Sequence, residues 1–177
     1  IISRNLDDIT SSKGIIMPGV GSFEKGIQNL KKFGLIDILK NEVFLKKKKI
    51  LGICLGFQLM CSFSEEFGNH EGLSWINAAV KKIDSKNFKL PHVGWNKLKI
   101  LKDSILFDGI KDNEMFYFNH SYCVEKKNNQ NFKITGECNY GSDFIAAIEQ
   151  DNLFGIQPHP EKSQYQGLKV INNFCKF

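Results

Sequence analysis

Apolar and polar positions along the first third of the chain change their period several times. Residues 14–19, GIIMPG, form a short apolar run closed by Pro-Gly, the pattern of a buried strand entering a turn. Residues 23–31 and 35–44 carry helical spacing instead, with Leu35, Ile38, Leu39 and Val43 on one face. Residues 50–53 are again a short continuous apolar run, and 58–63 begin a further helical pattern. Strand, helix, strand, helix in alternation predicts a parallel sheet covered on both faces.

The rest of the chain is richer in strand patterns, at 78–83, 97–101, 115–118, 132–138, 144–149 and 153–157, with turn residues between them such as Asp108-Gly109 and the YGSD beginning at Tyr140. The chain ends in an amphipathic helix with Leu168, Ile171, Phe174 and Cys175 on one side. No repeat or low-complexity linker divides it, so residues 1–177 read as one mixed α/β domain, a size that supports a single core.

Composition narrows the function classes. A formal charge of +5 and the run Lys46 to Lys49 invite a nucleic-acid reading, but Arg4 is the only arginine, so bidentate phosphate and guanine contacts are nearly absent. Lysines ahead of a buried strand instead suit the solvated, negative end of a helix. No apolar run reaches the roughly 20 residues of a membrane span, which leads us to expect a cytoplasmic protein. The five cysteines, Cys54, Cys61, Cys123, Cys138 and Cys175, lack CxxC spacing, so neither a disulfide framework nor a metal site is indicated, and no cofactor is expected.

One cysteine stands apart. GICLG, residues 52–56, has the G-x-nucleophile-x-G form of a nucleophile elbow with cysteine in place of serine. A strand turning sharply into a helix holds the central residue in strained geometry, and small residues on either side let the segments approach. The helix end is expected to favour the thiolate of Cys54 and lower its pKa. A small buried hydrophobe is the competing reading of the same residue.

A cysteine nucleophile needs an imidazole base held by a further acceptor. His70 lies in a polar loop, His92 follows Pro91, and His120 follows an apolar strand. His159 ends the strand-like LFGIQ, with Glu161 two residues later, a spacing that can fix the ring's tautomer. His159 with Glu161 is the first choice and His120 the second.

Taken together, PGVGSF (18–23), GICLGFQLM (52–60), EGL (71–73), PHVGWN (91–96), FNHSY (118–122), the YG at Tyr140 and HPEKSQ (159–164) resemble a class I glutamine amidotransferase, more narrowly the glutaminase subunit of imidazole glycerol phosphate synthase. The resemblance implies a three-layer, flavodoxin-like fold with a mostly parallel central sheet and an antiparallel strand-rich portion. It implies hydrolysis of L-glutamine to glutamate and ammonia, delivered to a separate (β/α)8-barrel cyclase subunit in a heterodimer. In those terms Cys54 forms a glutamyl thioester, His159 moves the protons and Glu161 orients His159. An oxyanion hole would combine the Leu55 N–H with a donor near Val20 or Gly21. Gln58, Ser121 and Tyr122 would meet the substrate, and Trp95, Asn96, Tyr117 and Lys162 would lie near the cyclase interface, where an exposed aromatic rim suits docking.

Three departures accompany the resemblance. The family's opening strand, Gly-rich turn and helix, about 25 residues at usual element lengths, are absent, so the domain is expected to lack its first β-α unit. Pro158 stands where the family has an aromatic residue, removing an N–H and restricting Gln157, with consequences for the aim of His159. GLSWINAAV (72–80) departs from the histidine-pathway pattern and points to a paralogue that supplies ammonia for amidination of a bacterial surface sugar. A non-catalytic docking scaffold is the remaining alternative.

Overall fold

The computed structural model describes residues 1–101, 103–126 and 132–177. A short helix α1 (Leu6–Ser11) precedes β1 (Gly14–Gly19), followed by α2 (Phe23–Lys32) and α3 (Leu35–Lys40), which continues into a π-helical turn (Asn41–Leu45). Then come β2 (Lys49–Cys54), α4 (Leu55–Leu59), β3 (Cys61–Ser64), β4 (His70–Glu71), β5 (Ile76–Lys82), β6 (His92–Ile100), β7 (Glu114–His120) and β8 (Tyr122–Val124). The chain closes with β9 (Lys133–Tyr140), β10 (Ser142–Gln150), β11 (Leu153–Ile156), a 3-10 turn (Pro160–Lys162) and α5 (Gln164–Lys176).

Strands β1, β2 and β11 lie side by side and parallel, with Gly19 opposite Cys54 and Ile53 opposite Ile156. Their C-terminal ends therefore share one rim, where ligand sites of open α/β sheets form. Antiparallel β10 and β8 extend the sheet to β5, β3 and β4, while β9, β6 and β7 branch from β10 as a second limb. β2 is buried on both faces. Ile50 packs among Phe23, Leu39, Val43 and Phe57 on one side, and Leu51 among Phe154, Val170 and Phe174 on the other. Its near-continuous apolar run follows from this two-sided cover.

Several elements depart from the sequence expectation. The helical pattern at 58–63 stops after α4, and Cys61–Ser64 becomes a strand because its backbone pairs in parallel with β5, a tertiary choice that overrides local spacing. β6 begins at His92 rather than Lys97, paired with β7 from His92 opposite His120 onward. α5 is rotated relative to the expected face: it buries Gly167, Val170 and Phe174, while Leu168 is 63% exposed and Cys175 is exposed. Gly167 sets that rotation, since a Cβ there would lie 1.8 Å from the Pro160 carbonyl oxygen. Helix α1 buries no side chain, so it left no apolar period to read; Asn5 caps it by accepting from the Asp7 N–H.

The lysine run is also less solvated than its sequence suggests. Lys46 and Lys48 ion-pair with the buried Glu42 at 2.6 and 2.7 Å. Lys48 donates to the Ile9 and Thr10 carbonyls of α1, and Lys49 to the Phe174 and Cys175 carbonyls near the end of α5. Lys48 and Lys49 satisfy backbone acceptors that helix ends leave open, while Lys46 stays largely solvated.

Candidate active site

The elbow forms where β2 meets α4. Cys54 holds φ 51° and ψ −109°, a left-handed backbone that costs energy for a side-chain-bearing residue. Both flanking glycines are required by contact. A Cβ on Gly52 would lie 2.7 Å from the Phe57 N and Cα, and one on Gly56 would lie 1.7 Å from the Met17 carbonyl oxygen of β1. The strain at Cys54 is thus imposed by backbone packed on both sides of it.

The electrostatics differ from the expectation of an acidified thiol. Burial pushes the Cys54 thiol up to about 11, opposed in part by the Leu55 backbone N–H and the Gln157 amide. α4 is five residues long, and its short dipole does not offset the loss of water around the sulfur. The Cys54 thiol therefore rests protonated and neutral. Ionising it near pH 7 without assistance would cost about 5 kcal/mol, so deprotonation has to be coupled to an acceptor that takes the proton.

His159 follows β11 at the same rim. Its Nδ1–H donates to Glu161 Oε1 at 2.7 Å, while Nε2 is buried with no hydrogen-bond partner among the described residues. Its backbone is fastened on both sides: the His159 N–H donates to the Tyr117 carbonyl at 2.8 Å, and the Ser163 hydroxyl donates to the His159 carbonyl at 2.6 Å while accepting from the Tyr117 N–H. Pro158 sits between two anchored neighbours, because the Gln157 N–H donates to the Ala146 carbonyl at 2.7 Å. The lost N–H at Pro158 therefore leaves the histidine's backbone held. Cys54 Sγ does not bond His159 in this state; it accepts from Gln157 Nε2 at 3.6 Å.

A cleft of about 190 Å³ opens at the elbow, lined by Val20, Gly21, Cys54, Leu55, Gln58, Ser121 and Tyr122, together with Glu66, Asn119 and His120. The expected nucleophile, oxyanion donors and substrate contacts thus converge on one space. Gln58 is buried rather than displayed on a helix surface, and its Nε2 donates to the Tyr122 carbonyl at 2.8 Å and to Gln157 Oε1 at 3.0 Å. Glu66 escaped the sequence reading. Its carboxylate accepts from the Phe23 N–H, the start of α2, and so fastens the turn that carries Val20 and Gly21. Its place in the cleft and that contact across 43 positions identify it; the polar loop around it carries no signal in the sequence.

His120, the second candidate base, is unsuited to that task. It is 7% exposed, burial pushes its pKa down to about 3, and both ring nitrogens are engaged, Nδ1 with the Tyr122 carbonyl at 2.8 Å and Nε2 with His92 Nδ1 at 3.2 Å.

The residues expected near a partner interface cluster on the β6–β7 hairpin and the turn after His159. Trp95, 42% exposed, meets Tyr117 edge to face at 6.1 Å; Lys162 Nζ lies 5.6 Å from the Tyr117 ring centre; Val93 and Met115 add exposed apolar surface. Asn96 does not share that surface: it is half-buried on the opposite face of β6, with its Nδ2 3.3 Å from the buried His92 Nε2. Among the described residues no group of three His, Cys, Asp or Glu side chains could hold a metal ion, and no helix is long and apolar enough to cross a membrane.

Comparison with known proteins agrees with this geometry. The family profile for glutamine amidotransferase class-I matches residues 2–176. The chain is 43% identical over 176 residues to imidazole glycerol phosphate synthase subunit HisH 1 of Campylobacter jejuni subsp. jejuni, covering 99% of this chain and 86% of that protein. It is 44% identical over 177 residues to imidazole glycerol phosphate synthase subunit HisH 2 of Methanococcus maripaludis, with the same coverage of 99% and 86%. Among solved structures it superposes on a glutamine amidotransferase with a TM-score of 0.74 at 14% identity, over 98% of this chain and 83% of that one. It also superposes on the glutaminase domain of Trypanosoma brucei CTPS with bound acivicin, with a TM-score of 0.62 at 18% identity, over 97% and 74% of the two chains.

Proposed function

The chain belongs to the class-I glutamine amidotransferase family, and from that premise we propose that it is the glutaminase subunit of an imidazole glycerol phosphate synthase whose chemistry runs through Cys54, His159 and Glu161. The observation that carries the residue assignment is the strained elbow, which presents the Cys54 sulfur in the cleft while the uncommitted His159 Nε2 waits at the same rim.

Glutamine enters with its side-chain amide toward Cys54 and its amino-acid end toward Ser121, Tyr122 and Gln58, where Glu66 offers a carboxylate to the α-ammonium. The sulfur forms a bond to the amide carbon as its proton passes to His159 Nε2, and Glu161 steadies the resulting imidazolium. Charge on the amide oxygen meets the Leu55 N–H and a donor from the turn at Val20 and Gly21. The tetrahedral species collapses with cleavage of the carbon–nitrogen bond, and His159 returns its proton to the departing ammonia. Water then attacks the thioester with His159 as base, releasing glutamate and restoring the thiol. Glutamine and water become glutamate and ammonia, with no net proton left on the protein.

The neutral resting thiol and the missing Cys54–His159 bond fit an enzyme whose site is completed by docking and substrate. The surface of exposed Trp95, Val93 and Met115 around half-buried Tyr117 fits the cyclase subunit, which we take to be a (β/α)8 barrel working in the cytoplasm. Ammonia release from glutamine by the protein co-purified with its cyclase subunit tests the reading. Cys54→Ser abolishes release while the complex still assembles; undiminished turnover in that variant refutes the nucleophile.

A further inference from the structure

From the cleft wall at Tyr122 and His120, a line of buried or half-buried polar groups runs back through His92 to Asn96, and neither imidazole has a part in the thioester chemistry. Asn96 Nδ2 lies 3.3 Å from His92 Nε2, His92 Nδ1 lies 3.2 Å from His120 Nε2, and His120 Nδ1 lies 2.8 Å from the Tyr122 carbonyl oxygen. The Tyr122 carbonyl also accepts from Gln58 Nε2, which donates its other hydrogen to Gln157 Oε1, and Gln157 Nε2 reaches the Cys54 sulfur. The line therefore begins at half-buried Asn96 on β6 and ends on the Cys54 sulfur.

Its proton order is fixed. A carbonyl oxygen only accepts, so His120 must carry its hydrogen on Nδ1 and, as a neutral ring, accept at Nε2. His92 must then donate from Nδ1 and accept at Nε2. Asn96 supplies that last hydrogen and gives its second to the Asn139 carbonyl at 3.0 Å, which sets which end of its amide is nitrogen. Burial keeps both rings neutral, pushing His92 down to about 4 and His120 to about 3. His92 is 2% exposed and is stacked between Tyr140 at 4.0 Å and Phe118 at 4.8 Å, so the ring plane is held by packing while its edges carry the hydrogen bonds.

We propose that His92 and His120 are positioning residues: with Asn96 they form a one-directional hydrogen-bonded chain that holds the Tyr122 carbonyl, and through it the Gln58 and Gln157 amides, so that Gln157 donates to the Cys54 sulfur as it becomes a thiolate. This rests on the reading of Cys54 as nucleophile. An amide N–H on sulfur favours the charged form, and an amide that is free to turn away does not.

Two measurements on the full chain test it, neither of which needs glutaminase activity. In protein labelled with 15N-histidine, long-range proton–nitrogen spectra at pH 7 show His92 and His120 both protonated on Nδ1 and neutral; an Nε2–H tautomer or a cationic ring at either position overturns the chain. Alkylation of Cys54 by iodoacetamide, followed by peptide mass spectrometry, reports thiolate supply. Gln157→Leu slows it about tenfold, the effect of raising the thiol by about one pKa unit. His92→Phe keeps the aromatic stack, cuts the chain and slows alkylation in the same direction. His120→Asn, which keeps a donor near the Tyr122 carbonyl, retains more of the rate than His120→Leu. Glu161 and Lys162, the charged groups that act on Cys54, are unchanged in all four variants. Alkylation of His92→Phe at the wild-type rate overturns the positioning role. Failure of the wild-type complex to release ammonia instead overturns the glutaminase reading and leaves the two outcomes above to decide the chain.

Discussion

Gly56→Ala is the perturbation with the most directly calculable consequence. The added methyl would stand 1.7 Å from the Met17 carbonyl oxygen, whereas a carbon–oxygen contact settles at roughly 3.3 Å. The neighbour is backbone and has no rotamer to change, so α4 and β1 must separate by about 1.5 Å. β1 runs directly into the turn carrying Val20 and Gly21, and α4 begins at Leu55, so the separation pulls apart the two halves of the proposed oxyanion hole. Overpacking of this kind costs about 3 kcal/mol, the upper end of its usual range, and misplacement by about 1 Å costs on the order of 10²-fold in rate. The assay pairs a urea midpoint with kcat for ammonia release in the assembled complex. Gly34→Ala is the contrast: Gly34 has φ +64° with open space beyond it, so alanine there costs about 1 kcal/mol in backbone strain and leaves kcat unchanged. Wild-type stability and turnover in Gly56→Ala, or an equal loss of turnover in Gly34→Ala, would refute the steric reading of the elbow.

Other expectations follow from the same contacts. His92 and His120 are held below the ordinary histidine value of 6.5, at about 4 and 3, so the unfolded chain binds more protons between those limits and stability falls as pH drops below 6.5. The loss is about 2 kcal/mol per imidazole at pH 5; a urea midpoint that stays flat from pH 7 to pH 5 contradicts it. Glu161→Gln keeps a group beside His159 Nδ1 but removes the charge that stabilises the imidazolium; because Glu161 is 48% exposed the expected loss is about 10–100-fold in kcat, smaller than for a buried triad acid, and an unchanged kcat counts against its role. Trp95→Ala weakens the complex with the cyclase subunit by about 30-fold or more without lowering the melting temperature; calorimetry showing the same Kd would move the docking surface elsewhere.

What could be read from the chain was local. GIIMPG gave β1 at its observed bounds, and the spacing of Gly52, Cys54 and Gly56 stated a steric requirement that packing against Met17 and Phe57 then explains. His159 and Glu161 lie two residues apart, so their hydrogen bond was within reach of spacing alone. Properties set by distant chain were not legible. The Cys54 thiol was expected to be acidic because a helix follows it, yet its surroundings come from β11 and the opposite core and exclude the water a thiolate needs. His92 and His120 meet across 28 positions, and neither has an apolar or polar period that announces the other. Cys61–Ser64 took the strand state because β5 was available to pair with it, and α5 turned its Gly167 side inward because only glycine fits against Pro160.

The most direct test of the whole assignment is to treat the assembled complex with a glutamine-mimicking electrophile and locate the adduct by peptide mass spectrometry. Of the five thiols, Cys175 alone is exposed, so an unselective reagent would choose it. We expect a single adduct on Cys54, blocked by excess glutamine and formed far more slowly in His159→Ala. Modification of Cys175 with Cys54 untouched, or full ammonia release from protein whose Cys54 is already capped, would contradict a nucleophile at the elbow.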